Sequence, residues 1–254
     1  MSPAEALAVL AAGIGAGTIN TIVGSGTLIT FPVLLAVGLG PVTANVSNAL
    51  GLVPGSIAGA LGYRAELAGQ RDRLLRLGAV CLLGGAAGAV LLVTLPSKAF
   101  DAIVPGLIGA ALVLVVVQPR LARYVQARRD RDGAAVPVHG GPALIAGLLL
   151  ASMYGGYFGA AQGVLYLSLM GLLLDEPLQR INGLKNVLAA IVNGIAAVFF
   201  LVVAHMDWAA VGLVAVGATI GGVLGARVGR RLPPVALRAL IVVVGVVAMV
   251  RLLL

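Results

Sequence analysis

The stretch Asn20-Thr21-Ile22-Val23-Gly24-Ser25-Gly26-Thr27 decides how this chain is read. A glycine-rich polar knot ends one apolar run, residues 4–22, and a shorter one, 27–37, follows directly. Pro41-Val42-Thr43-Ala44-Asn45-Val46-Ser47-Asn48 then opens a segment rich in amides and hydroxyls. The pattern returns in the second half as Tyr157-Phe158-Gly159-Ala160-Ala161-Gln162-Gly163, followed by Asn182-Gly183-Leu184-Lys185-Asn186. Gly26 and Gly163, like Asn48 and Asn186, stand about 137 residues apart. Paired, glycine-interrupted hydrophobic segments in corresponding halves point to the binding site of a transporter.

The rest of the chain fits that class. Of 254 residues, 60% are hydrophobic and only 10% charged, and the mean hydropathy is +1.09. A soluble domain carries about 25% charged residues. Further apolar runs cover 43–62, 74–95 and 100–118, then 142–159, 163–174, 183–203, 209–226 and 236–253. Runs near 20 residues can cross a hydrocarbon core. The expected class is an all-α polytopic membrane protein, multi-pass in the cell (inner) membrane and surrounded by lipid. Met1 to Gly17 is apolar, has Glu5 as its only charged side chain and lacks a basic leader region, so it reads as the first membrane helix. Cys81 is the only cysteine and lies inside an apolar run, where it reads as a small packing residue.

The formal charge of +8 does not make this a nucleic-acid binder. Its basic residues gather in short segments between apolar runs, with no aromatic interleaving, which is the positive-inside pattern. One cluster is Arg64, Arg71, Arg73 and Arg76; the second is the polar stretch Gln118–Gly141; the third is Arg227, Arg230, Arg231 and Arg238. Placing all three in the cytoplasm makes run 43–62 end inside and run 183–203 end outside. Equivalent segments then run in opposite directions. The expected fold is two inverted-topology repeats, each a broken helical hairpin plus three transmembrane helices, with both chain ends outside. The repeats would be residues 1–118 and 142–254, joined by a basic cytoplasmic linker over 119–141, itself read as a solvated loop. Pro96 and Pro105 punctuate one helix connection and Pro233-Pro234 another.

A break inside a membrane frees backbone N–H and C=O groups, each costing several kcal/mol if left unpaired in lipid. It survives where protein, water or a ligand satisfies them. Glycine permits the left-handed conformations and close approaches such a break needs. Helices beginning at the breaks, at Thr27 and Gly163, would aim N–H groups and partial positive charge at them. The substrate-binding candidates are therefore Asn20, Gly24, Ser25, Gly26 and Thr27 at the first knot and Tyr157, Gly159, Gln162 and Gly163 at the second. Asn45 and Asn48, three residues apart, share a helix face; so do Asn182, Lys185, Asn186 and Asn193. Amides can bind an oxyanion, cap the knots or bond neighbouring helices. Lys185 is the only lysine of the second half; it is either the counter-charge for an anion or a side chain that snorkels to the interface. Gly84-Gly85, Gly88 and Gly221-Gly222 read instead as tight helix packing.

No metal site, cofactor or catalytic constellation is expected. His139 and His205 stand alone, Asp175-Glu176 and Asp207 read as solvated charges at helix ends, and Arg180 reads as an interfacial loop charge. An enzyme would need converging acid/base or metal residues inside the membrane; a channel or a scaffold subunit are the remaining alternatives to a carrier.

At its two knots the chain resembles the sulfite exporter TauE/SafE family, also called the 4-toluene sulfonate uptake permeases. The run Gly17 to Pro32 looks like that family's first repeat motif, and Ala49-Leu50-Gly51-Leu52-Val53-Pro54-Gly55-Ser56-Ile57-Ala58-Gly59-Ala60 like its continuation. Gly155-Gly156-Tyr157-Phe158-Gly159 and Asn182-Gly183-Leu184-Lys185-Asn186 resemble the second repeat. Gly24-Ser25-Gly26 stands where many members carry three glycines, and Ala160-Ala161-Gln162-Gly163 where the family often has more. The resemblance implies a secondary transporter of small sulfur oxyanions or organosulfur anions such as sulfite, sulfonates or sulfoacetate, working by alternating access. Other small anions, such as carboxylates, are the alternative cargo. A proton or sodium ion would couple it, and glycine-rich faces permit a homodimer.

Overall fold

The computed structural model describes residues 1–132 and 140–228, together with 242, 243, 246 and 250. His139, Arg230, Arg231, Pro233, Pro234, Arg238 and most of the run 236–253 lie outside the described residues. The elements are α-helices: α1 Pro3–Ile22, α2 Thr27–Ala36, α3 Pro41–Gly62, α4 Arg71–Thr94, α5 Ser97–Asp132, α6 Pro142–Tyr157, α7 Gln162–Leu173, α8 Leu178–Val203 and α9 Trp208–Val228. No strand occurs among the described residues. Five helices are long and apolar enough to cross a membrane: α1, α4, the Ser97–Val117 part of α5, α8 and α9.

Local chemistry sets the helix starts. Pro3, Pro41 and Pro142 occupy first-turn positions, where a missing N–H costs nothing. Ser2 and Glu5 form a reciprocal capping box on α1, with the Ser2 N–H donating to Glu5 Oε2 at 2.7 Å. Asp207 caps α9 by accepting from the Ala210 N–H at 2.8 Å. The expected solvated role of Asp207 is thus replaced by a cap.

The knots fall where the sequence puts them, and the arms beyond them are short. Helix α2 has 10 residues and α7 has 12. At 1.5 Å per residue these reach about 15 and 18 Å, short of a hydrocarbon core of about 30 Å. Neither is long enough to cross by itself. One sequence expectation is corrected: the segment read as a loop from Gln118 is helical as far as Asp132, continuing α5.

Helix packing crosses the sequence halves. Helix α9 lies against α1 and α3, whereas α4 lies against α6 and α8; α3 and α8 also meet, and α5 packs on α7 and α3. The close approaches are made by small residues. A Cβ on Gly221 would lie 2.1 Å from the Ile14 carbonyl oxygen, one on Gly88 2.0 Å from that of Met153, and one on Gly84 2.5 Å from that of Leu149. A Cβ on Gly222 would lie 2.5 Å from the Gly55 carbonyl oxygen and one on Gly85 2.9 Å from the Ile195 side chain, so these five glycines serve helix packing as read from the sequence. Two apolar clusters result, one centred on α1, α2, α3, α5 and α9 and the other on α4, α6, α7 and α8.

Two polar contacts fix the sense of the central pair. The Gln70 side chain, beyond the end of α3, donates to the Arg180 carbonyl near the start of α8. The Asp207 N–H, beyond the end of α8, donates to Ser47 Oγ near the start of α3 at 3.0 Å. Helices α3 and α8 therefore run antiparallel.

Candidate functional site

The two glycine knots touch. Gly24 has φ +85°, Gly159 +77° and Ala161 +58°, all left-handed. The Gly163 N–H donates to the Gly24 carbonyl at 3.0 Å. A Cβ on Gly24 would fall 2.3 Å from Gly163 Cα, and one on Gly163 2.4 Å from Gly24 Cα. Only glycine admits this approach at both positions. Gly26 is the N-cap residue of α2 and Ala161 that of α7; neither helix receives a side-chain cap there. Both helix N-termini thus open onto the crossing point.

The broken helices are capped by the amide-rich helices. Where α1 ends, the carbonyls of its last turn lose their intrahelical partners. Three side chains of α8 reach them. Lys185 Nζ donates to the Asn20 carbonyl at 2.8 Å and to that of Thr21 at 2.9 Å. Asn182 and Asn186 donate to the same Thr21 carbonyl at 3.3 and 3.2 Å. The opposite exchange comes from α3, whose Asn45 donates to the Tyr157 carbonyl at the end of α6 at 2.9 Å. Asn48 stays within its own half, donating to Thr27 Oγ1 at 3.3 Å and accepting from Thr30 Oγ1. Asn20 donates to Ser56 Oγ at 3.3 Å.

Lys185 is 0% exposed. The snorkelling alternative is therefore overturned: the side chain turns inward to carbonyls rather than outward to the interface. When protonated, its charge opposes the roughly half-unit negative end of the α1 dipole, leaving about half a unit uncompensated. The α2 and α7 N-termini add further partial positive charge. Helix α3, which faces α8, has no ionisable residue between Pro41 and Gly62. No ion pair joins Lys185 among the described residues. The crossing point is lined by amides, hydroxyls and buried helix ends.

Several buried polar atoms there have no protein partner: Ser25 Oγ, Tyr157 Oη and Asn182 Oδ1. Such atoms mark where water or a ligand belongs. Gln162 is directed elsewhere. Its Nε2 donates to the Tyr166 hydroxyl at 2.6 Å, which also bonds Ser152 Oγ at 2.6 Å, so it fastens α7 to α6. Tyr157 packs its ring edge against Phe100, centroids 5.6 Å apart.

Sequence reasoning missed Thr30 and Ser56 at the knots, and a cluster away from them. Ser56 lies about three turns beyond Asn45 on the same face of α3, so periodicity could have found it. The distant cluster had no such signal. Arg73 Nη1 pairs with Glu176 Oε1 at 2.7 Å and Arg180 Nε with Glu176 Oε2 at 2.6 Å. Arg73 also donates to Gln70, and Arg180 to the Ala68 carbonyl at 3.1 Å. Glu176, expected to be solvated, is instead held with Arg180 in a clamp between the α3–α4 and α7–α8 connections. Burial pushes the Glu176 carboxyl up, but hydrogen bonds from both arginines and their charges outweigh it and hold it below the usual carboxylate range.

No group of three or more His, Cys, Asp or Glu side chains able to hold a metal occurs among the described residues. Broken helices meeting back to back inside a bundle of membrane-length helices define a polytopic membrane transporter. The chain belongs to the sulfite exporter TauE/SafE family, whose model matches residues 9–252. It is similar to the probable membrane transporter protein YfcA of Escherichia coli K12, 28% identical over 240 residues, which cover 94% of this chain and 86% of that protein. The YfcA proteins of Escherichia coli O6:H1 and O157:H7 match to the same extent. No solved structure matches the chain significantly.

Proposed function

We propose that this transporter carries small sulfur oxyanions or organosulfur anions, sulfite and sulfonates foremost, by alternating access at the crossing of its two knots. The observation that carries the reading is Lys185: a fully buried amine beside two glycine breaks, with no carboxylate partner among the described residues. A buried cation with only neutral partners is unstable unless an anion joins it or it gives up its proton. Sulfur oxyanions present several acceptor oxygens, which suit the third Lys185 N–H and the hydroxyls of Ser25 and Tyr157. The sulfur assignment rests on the family's name. Asn45, Asn48, Asn182 and Asn186 hold the broken ends in place rather than contact the anion.

The antiparallel run of α3 and α8 supports the inverted relation of residues 1–118 and 142–254. The same packing suggests which bodies move. Because α4 sits with α6 and α8, and α9 with α1 and α3, the rocking units are these interleaved bundles, not the halves in sequence order.

The test is thermal stabilisation of the detergent-purified protein by sulfite, sulfoacetate, taurine, thiosulfate and small carboxylates, followed by flux in proteoliposomes. A ligand at a hundred times its Kd adds about 2.7 kcal/mol to stability. A shift with a sulfur anion, absent in Lys185→Ala, supports the reading. A shift with carboxylates alone would sink the sulfur assignment, and no anion flux under any gradient would sink the transporter reading of this site.

A further inference from the structure

We propose that Lys185 carries the coupling proton of the transport cycle, so that each anion moves together with one proton. This rests on the anion reading above and names its coupling ion.

The geometry of the amine supplies the reason. An ammonium has three N–H donors. Two are spent on the Asn20 and Thr21 carbonyls, which end α1. The third has no protein partner among the described residues and is the one available to an anion. If the anion leaves, a full charge remains at 0% exposure among carbonyls and amides, and an uncompensated buried ion costs several kcal/mol even after relaxation. Loss of the third proton removes that cost. The N–H bond breaks, its electron pair stays on Nζ, and the proton passes to water on the side to which the site is open. A neutral amine keeps two N–H groups, the number the α1 carbonyls require, so the helix end stays capped in both states.

Among the described residues no other group is placed to take that charge in the empty site. Helix α1 carries only Glu5, at its opposite end, and α2 and α3 carry no ionisable side chain. The ionisable groups of α4 are Arg71, Asp72, Arg73 and Arg76 in its first turns, beside the Glu176 clamp, and Cys81, which packs in the apolar cluster with Leu184 and Leu188. Helices α6 and α7 offer Tyr154, Tyr157 and Tyr166. On α8 itself Arg180 is paired with Glu176. Tyr63 and Glu66, between α3 and α4, approach α8 at Gly183, which lies roughly 200° around the helix from Lys185.

The test uses proteoliposomes with a trapped pH dye and isotope-labelled methanesulfonate, the anion of a strong acid, which cannot ferry the proton itself. In the wild type, inward methanesulfonate flux acidifies the lumen with about one proton per anion, the number one amine can release. Lys185→Arg keeps donors for the carbonyls but never loses its charge. It is expected to lose net uptake and acidification, and whatever labelled-for-unlabelled exchange the altered site still supports should run without proton movement. Wild-type uptake without proton movement, or a Lys185→Arg protein that still couples protons to net uptake, overturns the proposal while leaving the anion reading intact. A wild type that neither exchanges nor accumulates the probe overturns both. Should the arginine protein fail to fold, the proton-to-anion ratio of the wild type decides alone.

Discussion

At the scale of single residues, the molecule turns on contacts that tolerate no extra atom. Gly24 combines a φ of +85° with a Cβ position 2.3 Å from Gly163 Cα. Gly24→Ala is expected to destabilise the protein by about 2–5 kcal/mol, the sum of left-handed strain and overpacking. Gly194, with nothing within 4 Å of its Cβ position, is the control: Gly194→Ala should be neutral or stabilising by about 0.4–1 kcal/mol. Denaturant or thermal melts in detergent separate the two, and equal effects would refute the crossing geometry. The capping side chains divide similarly. The Thr21 carbonyl accepts from Asn182, Lys185 and Asn186, whereas the Asn20 carbonyl accepts from Lys185 alone. Asn186→Ala should therefore cost under about 1 kcal/mol, and Lys185→Met about 1–3 kcal/mol for the orphaned Asn20 carbonyl. A reversed order in melting temperature would show that Lys185 does not hold the end of α1.

At the scale of elements, the helices were legible because apolar runs and their glycine, proline and amide punctuation directly reflect backbone and solvation costs. Helix α8, Leu178–Val203, encloses the run 183–203, and α9, Trp208–Val228, the run 209–226. The continuation of α5 to Asp132 was not legible, since a charged, arginine-rich stretch serves as well for a solvated helix as for a loop. The helix interfaces rest on backbone approach. Gly221 on α9 meets the Ile14 carbonyl of α1, and Gly88 on α4 meets the Met153 carbonyl of α6. Gly221→Val and Gly88→Val should each lower stability by about 1–3 kcal/mol through overpacking. Both should act alike in melts, because each glycine joins a helix to the other half of the chain. A neutral result for either would refute that interface.

At the scale of the whole molecule, Glu176 is the joint between the connections of the two halves, 103 residues from Arg73 in the chain. Its folded pKa is depressed, so its contribution is present above the unfolded carboxylate pKa and lost as pH falls through the folded value. Glu176→Gln should lower stability at neutral pH by about 1.5–3 kcal/mol, the worth of hydrogen bonds to a charged group. The gap between wild type and variant should close as the pH drops below the usual carboxylate range. Melting temperatures measured against pH check this; a gap that persists in acid would assign the effect to packing rather than charge.

The sequence by itself determined the class, the breaks and the candidate polar residues. Hydropathy, glycine spacing and amide periodicity are local consequences of placing a backbone in lipid, and they can be read without knowing who touches whom. Only the tertiary structure decided how the parts pair: that Gly24 and Gly163 cross, that α4 and α9 exchange places between the halves, that Lys185 turns inward to cap α1, and that Gln162 bonds Tyr166 while packing on Gly155. Each of these joins residues far apart in the chain, and glycines, amides and lysines are equally able to serve several partners. Their choice is set by close packing and by the cost of leaving any buried polar group unpaired, which are properties of the assembled bundle and not of any one segment.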